Sequence, residues 1–188
     1  VGGAADLAPS TKTYMKGLGD YSAAERGGRN MHFGIREHAM SAICNGMQLH
    51  GGLQTYCSTF FVFSDYMKNG MRMSALMKLP IMYILTHDSI GVGEDGPTHE
   101  PIEQLAALRT MPNMRVFRPA DYRETVAAYV SALSAKCPTS IVLSRQNLVQ
   151  LSAGGKDALK GGYVAYDCAG IPDVILIATG SEVGITME

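Results

Sequence analysis

The sequence predicts an α/β fold built on a parallel β-sheet. Short apolar runs bounded by turn residues alternate along the chain with longer amphipathic segments, which is the pattern of strand–helix–strand units. The run at 79–85 is apolar throughout, as expected of a parallel strand whose two faces are both covered. A long polar loop follows it, and open α/β sheets bind ligands in loops at the carboxyl ends of their strands.

Each expected strand is a short apolar run between turn residues. These runs lie at 2–6, 53–58, 81–85, 114–117, 139–143 and 174–178. Helices are expected in the longer segments between them, at about 36–50, 60–78, 102–110, 121–135 and from about 182 onward. Residues 11–30 are polar and rich in glycine, so we expect a loop there.

Local signals support these helices in order along the chain. Apolar residues recur at helical spacing in the first helix, and Gly51 ends it. The segment 60–78 is apolar on nearly every side, which predicts a buried helix. Pro101 suits a first helical turn, and Asp121 with Glu124 forms a start like a capping box for the helix that follows.

The pattern also predicts how the chain divides into domains. We expect residues 1–149 to form one domain that is truncated at its N-terminus. Residues 150–172 are richer in glycine, lysine and polar groups, which is typical of a linker. Residues 173–188 are expected to be the truncated start of a further domain, because one strand and half a helix cannot bury a core.

Composition excludes several classes of protein. Hydrophobic residues make up 46% of the chain, charged residues 18%, and the net charge is −1, which indicates a globular protein with a sizeable core. No basic excess points to nucleic acid or to an anionic membrane. No apolar run approaches the roughly 18 residues of a membrane span, and no signal peptide is visible. The four scattered cysteines lack a Cys-x-x-Cys pair, so we expect reduced thiols in a cytoplasmic protein.

The loop at 86–99 is the most informative segment. Its fourteen residues contain two histidines, three carboxylates, three glycines and a proline. Ordering so long a polar loop costs conformational entropy, which favours a site over a simple connection. A metal site made from His87, Asp88, His99 and Glu100 is an alternative, although no histidine pair has the spacing of helical metal ligands.

Five motifs along the chain resemble a known family in order and approximate spacing. They are Gly2 to Ser10, His32 to His38, Ser58 to Phe60, His87 to His99 and Leu143 to Asn147. Together they resemble the pyrimidine-binding domain of transketolase, and residues 174–188 resemble the start of that family's C-terminal domain. The resemblance implies the thiamine-diphosphate-binding fold, a three-layer arrangement with helices on both faces of the sheet.

The resemblance also implies a function. Transketolases use thiamine diphosphate and a divalent metal, Mg²⁺ or Ca²⁺, to transfer a two-carbon ketol unit from a ketose phosphate to an aldose phosphate. The family's metal and diphosphate motif lies on an N-terminal domain that this sequence does not contain. In the family the cofactor lies across a homodimer interface, so the isolated chain is expected to be half of a site, inactive without the diphosphate-binding domain of a partner subunit.

The resemblance assigns a cofactor role to five residues. Glu37 matches the carboxyl that shares a proton with the aminopyrimidine ring nitrogen and is therefore catalytic, although a carboxylate near a helix start also has a simpler explanation in the helix dipole. Phe60, Phe63 and Tyr66 are spaced as one face of a helix and match the aromatic pocket for the pyrimidine, while the same spacing also fits a core stripe. Asp6 resembles a residue near the cofactor pocket.

A second group matches the family's substrate contacts. Ser10, His87 and Arg145 each follow a different expected strand and resemble the clamp on the sugar phosphate, a role for which arginine is well suited. Asp95 matches the residue that binds a donor hydroxyl. His99 matches the catalytic histidine at the carbonyl end of the substrate. Thr11 departs from the family, which often has asparagine at this position.

Three alternatives stay open at this stage. Another thiamine-diphosphate enzyme, such as deoxyxylulose-phosphate synthase, shares much of the pattern, although the extended loop from His87 to His99 favours transketolase. A non-catalytic module that pairs through an exposed dimer face would need the same fold without the chemistry. A metal-dependent hydrolase would require a tightly bound metal in this chain.

Overall fold

The computed structural model describes residues 1–188 and contains one all-parallel sheet of six strands. The strands are β1 (Gly2–Ala4), β2 (Asn30–His32), β3 (Tyr56–Phe60), β4 (Met82–Asp88), β5 (Arg115–Phe117) and β6 (Thr139–Ser144). Their order across the sheet is β2-β1-β3-β4-β6-β5. Because all strands run the same way, every carboxyl end lies on one edge of the sheet, called the carboxyl edge below.

Six helices connect or follow these strands. They are α1 (Ala8–Thr11), α2 (Glu37–His50), α3 (Ser64–Leu76), α4 (Gln104–Arg109), α5 (Tyr122–Ser134) and α6 (Glu182–Thr186). Short 3-10 turns occur at Phe61–Phe63, Ile90–Asp95 and Gly155–Lys160. No helix is both long enough and apolar enough to cross a membrane.

Side chains that alternate along the strands build a separate core on each face of the sheet. On β4, Tyr83 and Leu85 join the larger core, where α2, α3 and α4 pack. Met82 and Ile84 point the other way, into a smaller core covered by α5. Helices therefore cover both faces, and the predicted three-layer fold is confirmed.

The helix α5 begins as its sequence predicts. The Asp121 carboxylate accepts a hydrogen bond from the backbone N–H of Glu124 at 2.9 Å, and the Glu124 carboxylate accepts one from the N–H of Ala120 at 2.7 Å. These reciprocal bonds satisfy backbone donors that the first helical turn would otherwise leave free. Asp121 also contacts the N–H of Leu151, so the same carboxylate fixes the chain that leaves β6.

Three expectations about elements were wrong. The glycine-rich stretch before residue 30 leads into an unpredicted edge strand, β2, whose one apolar residue, Met31, stands between two polar residues and forms no apolar run. The single buried helix expected at 60–78 is the end of β3, a 3-10 turn and α3, whose outer side exposes Tyr66 and Leu76. The buried strand expected at 174–178 is not a strand, because no neighbouring strand offers it backbone hydrogen bonds, and its apolar side chains are exposed.

The order of the strands creates a crevice at the carboxyl edge. The chain leaves β1 for β2 on one side, while β3 pairs on the other side of β1. This reversal is a topological switch point, where the loops that follow adjacent strands diverge and leave room for a ligand. The loops after β1 and β3 contain Asp6, Ser10 and Phe63, and the loop after β4 lies beside them.

Candidate active site

A cluster of aromatic and histidine rings lies at the carboxyl ends of β3 and β4. Phe60, the last residue of β3, stacks on the ring of His87 with centroids 3.7 Å apart and planes 20° apart. Phe63, on the following 3-10 turn, stacks beside Phe60 at 5.9 Å. Tyr66, on the first turn of α3, continues the row at 5.9 Å from Phe63. Phe60 is thus on a strand and not on the helix that the spacing predicted.

The loop after β4 folds back onto this row of rings. His99 meets the ring of Phe63 edge-on, with centroids 5.2 Å apart and planes at 71°, and lies 6.2 Å from Phe60. The Nδ1 atom of His99 is 2.9 Å from the Thr98 hydroxyl. The end of β4 and the loop after it therefore bring two histidines to the same row of aromatic rings. We call this group the ring cluster: Phe60, Phe63, Tyr66, His87 and His99.

His87 is held in a defined orientation near the end of β4. Its backbone φ is 62°, a left-handed conformation that is uncommon for any residue with a Cβ. Its Nδ1 atom is 3.0 Å from the Thr86 hydroxyl. When Nδ1 accepts that hydrogen bond, the proton of the neutral ring is on Nε2, which is then a donor toward the carboxyl edge.

Burial lowers the pKa of His87 below its ordinary value, Asp95 partly opposes this, and Arg145 and His99 add to it. The cause is physical: a charged imidazolium loses hydration over the Phe60 ring and lies near two other cationic or titrating groups. His87 is therefore neutral at pH 7. It can donate a hydrogen bond from Nε2 without carrying a charge.

Arg145, which follows β6, contacts the same loop. One terminal nitrogen is 2.9 Å from a Glu94 carboxylate oxygen, and Nε is 3.6 Å from an Asp95 oxygen. The Arg145 side chain is 38% exposed and that of Glu94 is 81% exposed. Ion pairs at such exposure contribute little to stability, so a phosphate can displace the two carboxylates at small cost. The contact to Asp95 places the predicted hydroxyl-binding residue beside the predicted phosphate-binding residue.

Glu37 occupies a different environment. It is the first residue of α2, is 7% exposed, and its carboxylate takes part in none of the hydrogen bonds and ion pairs of the chain. The carboxylate oxygens are not among the fully buried polar atoms that lack a hydrogen-bond partner, so they remain open to solvent although most of the side chain is covered. The group is therefore accessible to a donor that comes from outside this chain.

Asp6 and Ser10 follow β1, on the loop and the helix that lead away from it. Asp6 has a left-handed φ of 59° and lines a cleft of ≈ 500 Å³ together with Tyr14 and His32. Ser10 is exposed on α1, a helix that packs against the ends of β3 and β4. The residue after it, Thr11, is buried and hydrogen-bonds the Ser58 hydroxyl at 3.1 Å, so the departure at position 11 supports the structure of the crevice.

Comparisons with known proteins decide the family. A family model described as transketolase, pyrimidine binding domain, matches residues 1–150. The chain belongs to the transketolase family. It is 58% identical to a probable transketolase of Streptococcus pneumoniae and 54% identical to the transketolase of Bacillus subtilis, and each alignment covers 100% of this chain and 29% of the relative. The chain thus spans less than a third of the length of these curated transketolases.

Solved transketolase structures agree with the fold. A Pichia stipitis transketolase in complex with sedoheptulose-7-phosphate superposes with a TM-score of 0.96 at 47% identity, over 100% of this chain and 29% of the other. A transketolase from Leishmania mexicana superposes with a TM-score of 0.94 at 44% identity, over 100% of this chain and 28% of the other. A structure described as a split gene transketolase, inactive beta4 tetramer, superposes with a TM-score of 0.63 at 30% identity. That alignment covers 81% of this chain and 47% of the other.

The sequence analysis missed three residues that support the structure of this transketolase-family site. Ser89 and Gln146 hydrogen-bond each other through hydroxyl and amide at 2.9 and 3.1 Å, which joins the ends of β4 and β6. Arg118 forms a buried ion pair with Asp88. Gln146 lies inside a matched motif and could have been found there. Arg118 stands after an ordinary short strand, where nothing local distinguishes it. The structure contains no group of three or more His, Cys, Asp and Glu side chains that could hold a metal ion.

Proposed function

We propose that this chain supplies the aminopyrimidine pocket and the sugar-phosphate contacts of a thiamine-diphosphate-dependent transketolase. The reaction is the transfer of a two-carbon ketol unit from a ketose phosphate to an aldose phosphate. The observation that carries the proposal is the position of the loop after β4 in a chain of this family. His99 and Asp95 of this loop lie together with His87 and Arg145 at the carboxyl edge of the sheet. Such an enzyme serves the pentose phosphate pathway in the cytoplasm.

The residues of the chain fit the pyrimidine half of the cofactor. The Glu37 carboxylate, which has no hydrogen-bond partner within the chain and remains open to solvent, supplies the acceptor or shared proton that an aminopyrimidine ring nitrogen requires. Phe63 and Tyr66 offer aromatic surface, and Tyr66 is 64% exposed and so is available to a bound ring. Asp6, which follows β1 at the switch point, is assigned a contact near the cofactor. When bound, thiamine diphosphate supplies the carbon nucleophile that carries the two-carbon unit.

Substrate phosphate is assigned to the groups on the rim. Arg145 provides a forked cation, and the neutral His87 provides an Nε2 donor over Phe60. Ser10 approaches from α1 with a hydroxyl. Asp95, beside Arg145, accepts from a donor hydroxyl, and His99 is assigned to the carbonyl end of the substrate, where it holds or moves a proton.

The remaining parts of the site are assigned to partners. A divalent ion, Mg²⁺ or Ca²⁺, belongs with the cofactor diphosphate on the N-terminal diphosphate-binding domain of a partner subunit, in a homodimer. The inactive tetramer formed by a split-gene transketolase supports the view that a pyrimidine-domain chain alone does not catalyse the reaction. We place residues 1–149 in the pyrimidine-binding domain, 150–172 in a linker and 173–188 in the start of a C-terminal domain.

A chimera tests the proposal. This chain replaces the segment of the Bacillus subtilis transketolase to which it is 54% identical, and turnover of xylulose 5-phosphate with ribose 5-phosphate is measured with thiamine diphosphate and Mg²⁺. We expect robust turnover by the chimera and none by the isolated 188-residue chain. A folded but inactive chimera would favour a non-catalytic module. Robust turnover by the isolated chain would refute the half-site argument.

A further inference from the structure

The backbone near the end of β4 is irregular in a way that the ring cluster depends on. His87 and Ser89, on either side of Asp88, have φ values of 62° and 84°. The pairing of β4 with β6 shifts register between Leu85 and Asp88. Such irregularities redirect a side chain out of the regular alternation of a strand, and here the redirected ring is His87, stacked on Phe60 at 3.7 Å. Conformations of this kind persist only where the surroundings hold them.

A buried ion pair holds Asp88, the residue between the two left-handed positions. The Asp88 carboxylate accepts a hydrogen bond from Nε of Arg118 at 2.5 Å, and each side chain is only 10% exposed. Arg118 immediately follows β5, which is separated from β4 by β6. The pair therefore ties the end of the irregular strand to the far side of the sheet. Removing Arg118 would leave the Asp88 carboxylate buried without a partner.

Every other polar contact of Arg118 also lies within the chain. Its terminal nitrogen donates to the Thr179 carbonyl at 2.6 Å and to the Glu182 carboxylate, and its carbonyl accepts from the N–H of Gly180 at 2.9 Å. This guanidinium is thus occupied from three directions. Arg145, in contrast, contacts the exposed Glu94 carboxylate and the partly exposed Asp95 carboxylate of the loop. Arg118 is therefore not a ligand-binding arginine.

We propose that Arg118 and Asp88 are positioning residues for His87. Their ion pair fixes the left-handed turn at 87–89, and the turn holds the His87 ring against Phe60 with Nε2 toward the carboxyl edge. Neither residue touches substrate. The identity of what His87 binds rests on the function proposed above, but the positioning of its ring does not.

The test follows the His87 ring by NMR in the 188-residue chain, with its proton and carbon resonances assigned through His87→Gln. A ring stacked on Phe60 has strongly shifted resonances, and we expect these shifts to be lost in Arg118→Gln and reduced in Asp88→Asn. Arg118→Lys, which keeps a cation for Asp88, should restore part of the shift. The matched control is Arg115→Gln, because Arg115 lies on β5, 6.0 Å from the Phe117 ring, and has no carboxylate partner.

Wild-type His87 shifts in a folded Arg118→Gln variant would overturn the proposal. If Arg118→Gln does not fold, the nearly isosteric variant Asp88→Asn tests the proposal by itself. Unchanged His87 shifts in Asp88→Asn would also overturn the proposal. In the chimera, Asp88→Asn should raise KM for a phosphorylated donor and leave KM for hydroxypyruvate unchanged. An inactive chimera would count against the proposed function while the NMR result still decides the positioning role, so the two failures are distinguishable.

Discussion

The two halves of the candidate site differ in how completely the chain satisfies them. On the rim formed by β4 and β6, the polar groups already have partners: His87 contacts Thr86 and Phe60, and Arg145 contacts Glu94 and Asp95. Glu37, at the start of α2, is mostly covered, but its carboxylate has no partner in the chain and its oxygens remain open to solvent. The side chains at the ends of β4 and β6 are therefore held by contacts within the chain, whereas the Glu37 carboxylate is free to bind another molecule. The difference teaches that the proposed substrate contacts are positioned by the chain itself, while the proposed cofactor contact of Glu37 is left open.

The largest effect is expected from the group without a partner. In the chimera, Glu37→Ala should lower turnover by about 10²–10⁴-fold, the usual value of acid–base help. The free energy of unfolding of the isolated chain should change little, because this carboxylate makes no hydrogen bond within the chain and its oxygens remain open to solvent. Turnover assays and urea unfolding check the two halves of this expectation. Clear destabilisation together with normal turnover would make Glu37 a structural helix-start carboxylate.

In the ring cluster, by contrast, substitutions should mainly change stability. Phe60→Ala removes a ring that is 8% exposed and touches His87, Phe63 and His99, so unfolding free energy should fall by about 3–5 kcal/mol. Tyr66→Ala is the matched control at the outer end of the same row, where a 64% exposed ring should cost no more than about 0.5 kcal/mol. Urea unfolding of both variants measures the contrast. Equal losses would show that the row is uniform and that the distinction between core and pocket ring is mistaken.

Arg145 should show a smaller effect that is specific to phosphate. A hydrogen bond to a charged group is worth roughly 1.5–3 kcal/mol, so Arg145→Ala should raise KM for xylulose 5-phosphate about 10–100-fold with kcat nearly unchanged. Hydroxypyruvate has no phosphate, so its KM should be almost unchanged by the substitution. Both donors are measured on the same chimera variant. Equal losses for the two donors would assign Arg145 to the cofactor or to the fold.

The smallest effect concerns pH and His87. Because burial lowers its pKa in the folded chain, the unfolded chain binds more protons in the interval between the folded pKa and the ordinary value of about 6.5. Stability should therefore fall as pH drops through this interval, and His87→Gln should flatten that fall. The hydrogen bond from His32 lowers the pKa of Asp20 below its ordinary value of about 3.8, so titration of Asp20 affects stability only at more acidic pH. Identical slopes for both chains would show that His87 is not desolvated.

Much of the fold could be predicted because its signals are local. The continuous apolar run of β4 and the capping pair Asp121 and Glu124 each state their structure within a few residues. The strand expected at 174–178 failed for the opposite reason, since an apolar run becomes a strand only when another strand pairs with it. The sequence alone does not reveal that no such strand is available.

The site was predictable in its residue types and less so in its arrangement. The histidines, aromatics and arginine were all found from motifs, and the structure brings Phe60, His87 and His99 together. Arg118 was missed because its importance comes from a contact with Asp88 across thirty positions and an intervening strand. Long-range contacts between ordinary residues leave no periodicity to detect.

The most direct test of the central claim is proton exchange at the reactive carbon of thiamine diphosphate bound to the chimera. Deuterium exchange at this carbon is followed by quenched NMR in the wild-type chimera and in Glu37→Gln, with the cofactor and Mg²⁺ saturating. If the Glu37 carboxylate, which has no partner within the chain, hydrogen-bonds the cofactor, exchange should slow by about 10²–10⁴-fold in the variant. Exchange at the wild-type rate would contradict the account, because Glu37 would then have no part in activating the cofactor.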